Sequence, residues 1–282
     1  MISPFHAVIL GLLQGITELF PVSSLGHSIL LPGLLGWHID TNATEVIEFL
    51  VATHFATALV LFGIYWRDWV RIIRGMARSL ADREISRTNP YGMLGWLLVV
   101  GTIPAGLVGV LFQDSFKAFF VSPVSAAIFL IANGGLLLAA EFLRRRRPQE
   151  KLARADERLA ELTWWQAAKI GMMQILALIP GISRTGSTIA GGLWNDLSHE
   201  DALRFSFLLA TPIIGAAAVL ELPGLFAAGG TILAVSALGA LAAGIAAYFS
   251  ATFLVRYFKT RSLVPFAVYC IAIGALGVVI LH

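Results

Sequence analysis

Long apolar runs alternate with short polar stretches along the chain. A helix needs about 20 apolar residues to cross a hydrocarbon core of about 30 Å. Six runs reach that length, and each predicts one transmembrane helix: Val46–Trp66, Tyr91–Phe112, Val121–Leu143, Ala202–Leu222, Thr231–Leu254 and Leu263–Leu281. The pattern therefore predicts an all-α polytopic membrane protein with six transmembrane helices.

Two further apolar stretches, Ile9–Trp37 and Ile170–Trp194, are interrupted in the middle by proline, glycine and serine. Both also carry polar or charged residues at membrane depth. Irregular backbone at that depth is tolerated only where protein encloses it or where it lines a cavity. We therefore expect two re-entrant helical hairpins whose broken tips meet near the midplane of the membrane.

The composition agrees with a membrane protein and excludes several other classes. Of the 282 residues, 57% are hydrophobic and 13% are charged, whereas soluble domains carry about 25% charged residues. A soluble globule of this size could not bury the apolar surface that a mean hydropathy of +0.80 implies. The single cysteine, Cys270, excludes a disulfide scaffold and a thiolate metal site.

The basic residues predict the orientation of the chain. They cluster after the first, third and fifth runs, at Arg67, Arg71, Arg74, Arg78, Arg83 and Arg87, at Arg144, Arg145, Arg146, Arg147, Lys151, Arg154 and Arg158, and at Arg256, Lys259 and Arg261. Between the second and third runs the only charged residues are Asp114 and Lys117. Because basic loops stay in the cytoplasm, we expect both termini outside. This placement argues against a nucleic-acid partner, while Arg144–Glu161 is either a topological signal or a lipid-binding patch.

The two interrupted stretches resemble each other, which indicates an internal repeat. The segments GLLQGITELFPVSSLGHSI and GMMQILALIPGISRTGSTI align at Gly11 and Gly171, Gln14 and Gln174, Ser23 and Ser183, Gly26 and Gly186, and Ile29 and Ile189. The last spans of the two halves, SPVSAAIFLIANGGL and SLVPFAVYCIAIGAL, also pair. Chance similarity between apolar segments is the alternative. We predict a single membrane domain, 1–282, made of repeat 1 (about 1–143), a basic cytoplasmic linker (about 144–162) and an inverted repeat 2 (about 163–282).

Ionisable residues inside the two tips point to a functional site, because such residues are costly in a membrane. Glu18 and Gln14 are four residues apart and share a helical face, and Arg184 lies among hydroxyls and glycines in PGISRTGST. Arginine, helix N-termini and exposed backbone N–H groups favour phosphate. The alternatives are a purely structural Glu18–Arg184 ion pair and hydroxyls that only cap a half-helix.

Ser24 and His27 have the composition of a nucleophile and its base, and they share a face if a helix restarts after Pro21. Glu18 could hold a divalent cation that bridges phosphate oxygens. His54, inside the first predicted span, either orients the substrate or Glu18, or makes an interhelical hydrogen bond. These residues make a phosphate-processing site the leading interpretation.

The segments GLLQGITELFPVSSLGH and PGISRTGST closely resemble the two signatures of the undecaprenyl-diphosphatase family, the bacitracin-resistance membrane phosphatases. The stretch FSFLLATP at 205–212 extends the resemblance over nearly the whole chain. The resemblance implies hydrolysis of undecaprenyl diphosphate to undecaprenyl phosphate and inorganic phosphate, which recycles the lipid carrier for cell-wall polymers. It also implies a polyprenyl diphosphate substrate, Mg²⁺ or Ca²⁺, a bacterial inner (plasma) membrane location and a site open to the periplasm or cell exterior. We also expect a homodimer as a candidate assembly.

The resemblance also implies roles for individual residues. It implies a catalytic set of Glu18, Ser24, His27 and Arg184, with Ser183 and Thr188 beside the arginine at the diphosphate. From the residues themselves we also predict Ser23, Gly26, Gln174 and Thr185 as substrate-binding, Glu18 with Gln14 as metal-binding, and His54 as a residue that orients the site without reacting. Either Ser24 or His27 attacks phosphorus. Gln14 departs from the family pattern, where some members have glutamate, and an amide removes one anionic metal ligand.

A polyprenyl-phosphate transporter or flippase is the alternative function, because inverted repeats with broken helices and a midplane anion site also describe transporters. Fold alone cannot separate the two functions. The discriminating feature is Ser24 with His27, since binding a phosphate without reaction does not require that pair.

Overall fold

A computed structural model describes residues 2–37, 39, 43–112, 122–145 and 155–281, and the described chain is helical without strands. The helices are α1 (Pro4–Thr17), α2 (Ser24–Leu34), α3 (Thr44–Ile64), α4 (Trp66–Ala81), α5 (Pro90–Leu111), α6 (Pro123–Arg145), α7 (Ala155–Ala160), α8 (Trp164–Met173), α9 (Arg184–Trp194), α10 (His199–Ala227), α11 (Gly230–Tyr257) and α12 (Val264–Leu281). A 3₁₀ turn, Gln174–Leu178, follows α8. The all-α prediction is thus confirmed.

Five helices of the described chain, α3, α5, α6, α11 and α12, are long and apolar enough to cross a membrane. Helix α10 raises the number to six if its two parts, which meet at a bend of 41°, form one span. Pro223 lies four residues after the start of the second part, and a proline ring clashes with the carbonyl group four residues before it. The bend therefore lies where the Pro223 ring disturbs the helix.

Helix α4 occupies a segment that the charge pattern marked only as a basic loop. Its buried residues are Ile72, Gly75 and Ser79, at three- and four-residue spacing, so the helix is amphipathic. It packs on α5, where Asn89 Nδ2 donates to the Gly75 carbonyl (2.8 Å) and Trp96 Nε1 donates to Ser79 Oγ (2.8 Å). The arginines on its other face obscured this narrow apolar stripe in the sequence.

Both interrupted stretches are broken in the structure where the prolines and glycines stand. The chain turns between α1 and α2, around Pro21, and between the 3₁₀ turn and α9, around Pro180 and Gly181. Gly181 has a φ of +104°, which a side chain would strain. Each stretch thus ends one helix and begins another inside the molecule.

Close helix crossings depend on residues without side chains. A methyl group at Gly11 would overlap the carbonyl oxygen of Gly239 in α11, and one at Gly171 would overlap that of Gly101 in α5. Helices α6 and α12 cross in a reciprocal way: Gly134 packs on the Ala267 carbonyl, and Gly274 packs on the Ala127 carbonyl. These crossings fix α1 against α11 and α8 against α5 (Gly–xxx–small packing is common in membranes).

Several residues used in the topology prediction lie outside the described residues, namely Asp114, Lys117, Arg146, Arg147, Lys151 and Arg154. Within the described part of the basic linker, Arg158 forms a two-point ion pair with Asp201 of α10, at 2.7 and 2.8 Å. This pair ties α7 to the start of α10.

Candidate active site

Glu18 lies at the end of α1, and its side chain is buried at the break between α1 and α2. The helical spacing places Gln14 one turn earlier on the same face, and Gln14 Nε2 donates to Glu18 Oε2 at 3.1 Å. A carboxylate only accepts hydrogen bonds, so the amide nitrogen of Gln14 must face it. The amide oxygen of Gln14 then points away from Glu18.

Ser24, the first residue of α2, donates its hydroxyl hydrogen to Glu18 Oε2 at 2.5 Å. Both side chains are buried, at 8% exposure each. Hydrogen bonds from a hydroxyl to an ionised carboxylate are short, at about 2.5–2.7 Å, and strong. The break in the first interrupted stretch therefore folds Ser24 back onto Glu18.

The second interrupted stretch supplies the positive charge. Arg184, the first residue of α9, donates from Nη2 to Glu18 Oε1 at 2.9 Å. The next residue, Thr185, donates its hydroxyl to the backbone carbonyl of Glu18 at 3.0 Å. These contacts bring the two broken tips together, and the Glu18–Arg184 ion pair, which the sequence offered as the structural alternative, is present.

His54, on α3, reaches Glu18 from a third direction. Its Nδ1 lies 2.8 Å from the Leu50 carbonyl, so Nδ1 carries a hydrogen. Its Nε2 lies 3.4 Å from Glu18 Oε2, and a donated bond there requires a second ring hydrogen. The geometry therefore favours an imidazolium at His54 beside the carboxylate.

His27 does not bond with Ser24 in the described structure. Its Nδ1 lies 2.6 Å from the Ser23 carbonyl, and its Nε2 lies 3.0 Å from the hydroxyl of Tyr269. Both ring nitrogens are therefore engaged away from Ser24. The geometry does not match the hypothesis that His27 removes the Ser24 proton, because Glu18 holds that position.

The serines at equivalent positions of the two tips cap helices. Ser23 Oγ accepts from the backbone N–H groups of Gly26 and Gly181, both at 3.2 Å, and so joins the two tips. Ser23 also has a φ of +70°, unusual for a residue with a side chain. Ser183 Oγ accepts from the Gly186 N–H at 3.0 Å. The capping interpretation therefore applies to both serines.

Two predicted substrate-binding residues bond to other parts of the fold. Gln174 Nε2 donates to the Gly101 carbonyl of α5 at 3.1 Å. The hydroxyl of Thr188 makes a short hydrogen bond with that of Ser206 on α10, at 2.5 Å. These two side chains connect the second tip to its neighbours.

Sequence reasoning missed Asn133, which is fully buried in α6. Its Nδ2 donates to the Pro21 carbonyl at 2.9 Å, and its Oδ1 accepts from the Ser183 N–H at 3.0 Å. One side chain thus bonds to the breaks of both interrupted stretches. The available signal was a lone polar side chain within an apolar span, and Tyr269 in α12 carried the same signal.

Two types of oxygen that bind divalent cations, the Glu18 carboxylate and the Gln14 amide, stand at the end of α1, with the amide oxygen turned away from Glu18. Gln14 Oε1 is buried and has no hydrogen-bond partner in the described structure, and Glu18 Oε1 accepts from Arg184 alone. Mg²⁺ commonly uses one or two protein oxygens together with substrate phosphates and water. Among the described residues there is no group of three His, Cys, Asp or Glu side chains that could hold an ion without substrate.

The comparisons with known proteins cover nearly the whole chain. The family model "Bacitracin resistance protein BacA" matches residues 7–276. A protein of Mycolicibacterium paratuberculosis named undecaprenyl-diphosphatase is 47% identical, over 99% of this chain and 97% of its own. Proteins named undecaprenyl-diphosphatase 2 in Frankia alni (42% identical, 96% of each chain) and undecaprenyl-diphosphatase in Acidiphilium cryptum (42%, 99% of this chain and 98% of its own) are also similar. The site around Glu18 and Arg184 therefore lies in a chain that belongs to the BacA bacitracin-resistance family.

Proposed function

We propose that this protein is an undecaprenyl-diphosphate phosphatase: it hydrolyses undecaprenyl diphosphate to undecaprenyl phosphate and inorganic phosphate, and so recycles the lipid carrier for cell-wall synthesis. The relatives are named for this activity, and this chain aligns with nearly their full length. The observation that carries the proposal is the contact of Ser24 and Arg184 with the two oxygens of Glu18. A hydroxyl, a carboxylate and a guanidinium in contact provide a nucleophile, a proton acceptor and an anion partner.

In the first step Ser24 Oγ attacks the terminal phosphorus atom, while its proton passes to Glu18 Oε2, 2.5 Å away. A bond forms between Oγ and phosphorus, the bond to the bridging oxygen breaks, and the lipid monophosphate leaves with the bonding electrons. Water then attacks the phosphoserine, the bond between phosphorus and Oγ breaks, and Ser24 takes back the proton that Glu18 accepted in the first step. His27 Nε2 accepts the proton of that water, which takes the place of the Tyr269 hydroxyl at the single Nε2 lone pair while Nδ1 keeps its hydrogen.

Arg184 binds the diphosphate in this mechanism. Its Nη1 is buried and has no partner among the described residues, while Nη2 holds Glu18. It also begins α9, where the positive end of the helix dipole favours an anion. A phosphate on Nη1 shares the positive charge with Glu18, which makes the carboxylate a better acceptor for the Ser24 proton.

We also propose that Glu18 and substrate oxygens would hold Mg²⁺ or Ca²⁺, and that Gln14 would join them once its amide turns its oxygen toward Glu18. When bound, such an ion neutralises charge on the transferring phosphoryl group. Gly26 and the capping serines Ser23 and Ser183 hold the backbones of the two tips close to each other. Thr185, Thr188 and Gln174 hold the second tip in place through their hydrogen bonds to neighbouring segments.

We propose a single membrane domain of six spans and two re-entrant hairpins, built from two inverted repeats. Two-fold relations make contacts reciprocal. The reciprocal packing of Gly134 on Ala267 and of Gly274 on Ala127 supports this arrangement, because the four residues pair at one offset in the two halves. A location in the bacterial inner membrane with the site open to the periplasm or cell exterior, and a homodimer, stay predictions.

The test measures phosphate release from undecaprenyl diphosphate by purified protein in detergent. We expect metal-dependent release that a chelator abolishes, a loss of at least about a thousandfold for Ser24→Ala, and a loss of about 10²–10³-fold for Arg184→Gln. Ser125→Ala is the matched control, since among the described residues the Ser125 hydroxyl bonds to the carbonyl of Ser122 alone.

Arg78→Gln controls for the loss of an arginine, because Arg78 is 79% exposed on α4. Wild-type protein that binds the lipid diphosphate without releasing phosphate would contradict the proposal and favour a carrier. An active Ser24→Ala enzyme would instead move the attack to His27.

A further inference from the structure

Tyr269, on α12, contacts His27 in two ways. Its hydroxyl lies 3.0 Å from His27 Nε2, and the two rings stack with centroids 5.6 Å apart and planes 7° from parallel. The residues are 242 positions apart in the sequence. Tyr269 was absent from the residues that the motifs singled out, and it belongs to the half of the chain opposite to the one that carries His27.

The hydrogen positions at His27 follow from its neighbours. The Ser23 carbonyl, 2.6 Å from Nδ1, can only accept, so Nδ1 carries the ring hydrogen. The neutral ring then has its lone pair on Nε2, and the Tyr269 hydroxyl donates to it. Two bonds and the stacked ring thus hold one tautomer and one ring orientation.

A hydrogen bond to the residue next to Tyr269 holds α12 against α6 at this point. Cys270, the neighbour of Tyr269, is fully buried and accepts a hydrogen bond from Asn133 Nδ2 at 3.3 Å. The same Asn133 nitrogen also donates to the Pro21 carbonyl, at the first break. Tyr269 therefore approaches His27 from a helix that is tied to the broken tips.

We propose that Tyr269 is a positioning residue for His27. By donating to Nε2, its hydroxyl keeps that nitrogen without a ring hydrogen, and its ring fixes the imidazole plane. During hydrolysis of the phosphoserine the attacking water replaces this hydroxyl at Nε2 and gives up its proton there. This inference rests on the proposed function, since it assigns His27 to the second step. It deepens that function by adding a residue from α12 to the machinery of the two tips.

Tyr269→Phe tests the proposal, because it keeps the ring and removes only the hydroxyl. We expect kcat for phosphate release to fall about tenfold, the effect of losing one hydrogen bond at the reacting group, while KM stays within about twofold. Tyr248→Phe is the matched control, since Tyr248 is 54% exposed on α11 and its ring contacts Phe249. An unchanged kcat in Tyr269→Phe would overturn the proposal, and so would a rise in KM alone.

A spectroscopic measurement separates this inference from the proposed function. Nitrogen-15 NMR of labelled histidine in lipid bilayers, with His27 assigned from the His27→Gln spectrum, reports which ring nitrogen carries the hydrogen. We expect a single Nδ1–H tautomer in the wild type and a mixture, or a shifted Nε2 signal, in Tyr269→Phe. Identical spectra would overturn the positioning role even in an active enzyme. Wild-type protein without phosphatase activity would overturn the proposed function and leave the spectroscopic result intact.

Discussion

The Glu18 carboxylate contacts four side chains, three more than a simple ion pair with Arg184 would contain. It accepts hydrogen bonds from Gln14, Ser24 and Arg184, and His54 lies 3.4 Å away. Removing one partner of a buried charge pair costs about 3–5 kcal/mol, because the other charge stays uncompensated. Substitutions at Glu18 and Arg184 therefore need a measurement of folding beside one of activity. Ser24, which is neutral, gives the cleaner test of chemistry.

Variants of His54 distinguish its two possible roles, which are to orient the substrate or Glu18, or only to make an interhelical hydrogen bond. We expect His54→Leu to lower kcat about tenfold, because Glu18 loses a charged donor that orients it toward Ser24. His54→Gln keeps a donor and should lose at most about threefold. The measurement is phosphate release per folded molecule, with the folded fraction determined by thermal unfolding.

His199→Leu is the matched control for the His54 variants. His199 Nε2 lies 2.8 Å from Glu141 Oε2, so this variant also breaks a buried histidine–glutamate pair, outside the group around Glu18. It should lower stability while activity per folded molecule is kept. Equal activity per folded molecule in His54→Leu and His199→Leu would leave His54 only an interhelical hydrogen bond.

At the scale of elements, glycines decide how closely the broken helices approach their neighbours. Gly171 of α8 lies against the Gly101 carbonyl of α5, and that carbonyl also accepts a hydrogen bond from Gln174. Asn133 then bonds to both breaks from α6. The position of Glu18 against Arg184 follows from these contacts between helices.

Gly171→Ala should destabilise the protein, because its methyl group would overlap a backbone carbonyl that cannot move without shifting α5. Overpacking of this kind costs about 1–3 kcal/mol. The measurement is the midpoint of thermal unfolding in detergent. Gly106→Ala is the control: no atom of the described residues beyond the local helix lies within 4 Å of the added methyl group, and alanine favours helix, so its midpoint should stay or rise slightly. Equal midpoints for the two variants would contradict the close crossing.

At the scale of the whole molecule, the arginine distribution makes a prediction about topology. Cysteines placed at either end of the spans, in a Cys270→Ala background, report which side each loop faces. We expect Ser86→Cys, after the amphipathic helix α4, to react with a membrane-impermeant maleimide only after the inner membrane is permeabilised. Ala227→Cys, at the far end of α10, should react in spheroplasts with an intact inner membrane. The reverse pattern would place the basic loops outside.

The sequence by itself determined the class of protein, the positions of most spans and the residues of both tips. Hydropathy and local breaks encode these features, since each depends on neighbours within a few turns of helix. The amphipathic α4 escaped this reasoning because four arginines hid its apolar stripe.

Only the tertiary structure decided which side chains pair. Ser24 and His27 are three residues apart, yet Ser24 bonds to Glu18 and His27 bonds to Tyr269, 242 positions away. Asn133 likewise joins two breaks through contacts that span 112 and 50 positions. The pairs made by His27 and Asn133 arise only when helices distant in the chain pack and bring their buried polar atoms together, so no local pattern encodes them. The bond from Ser24 to Glu18 spans six residues, but the sequence does not show how the break between α1 and α2 folds.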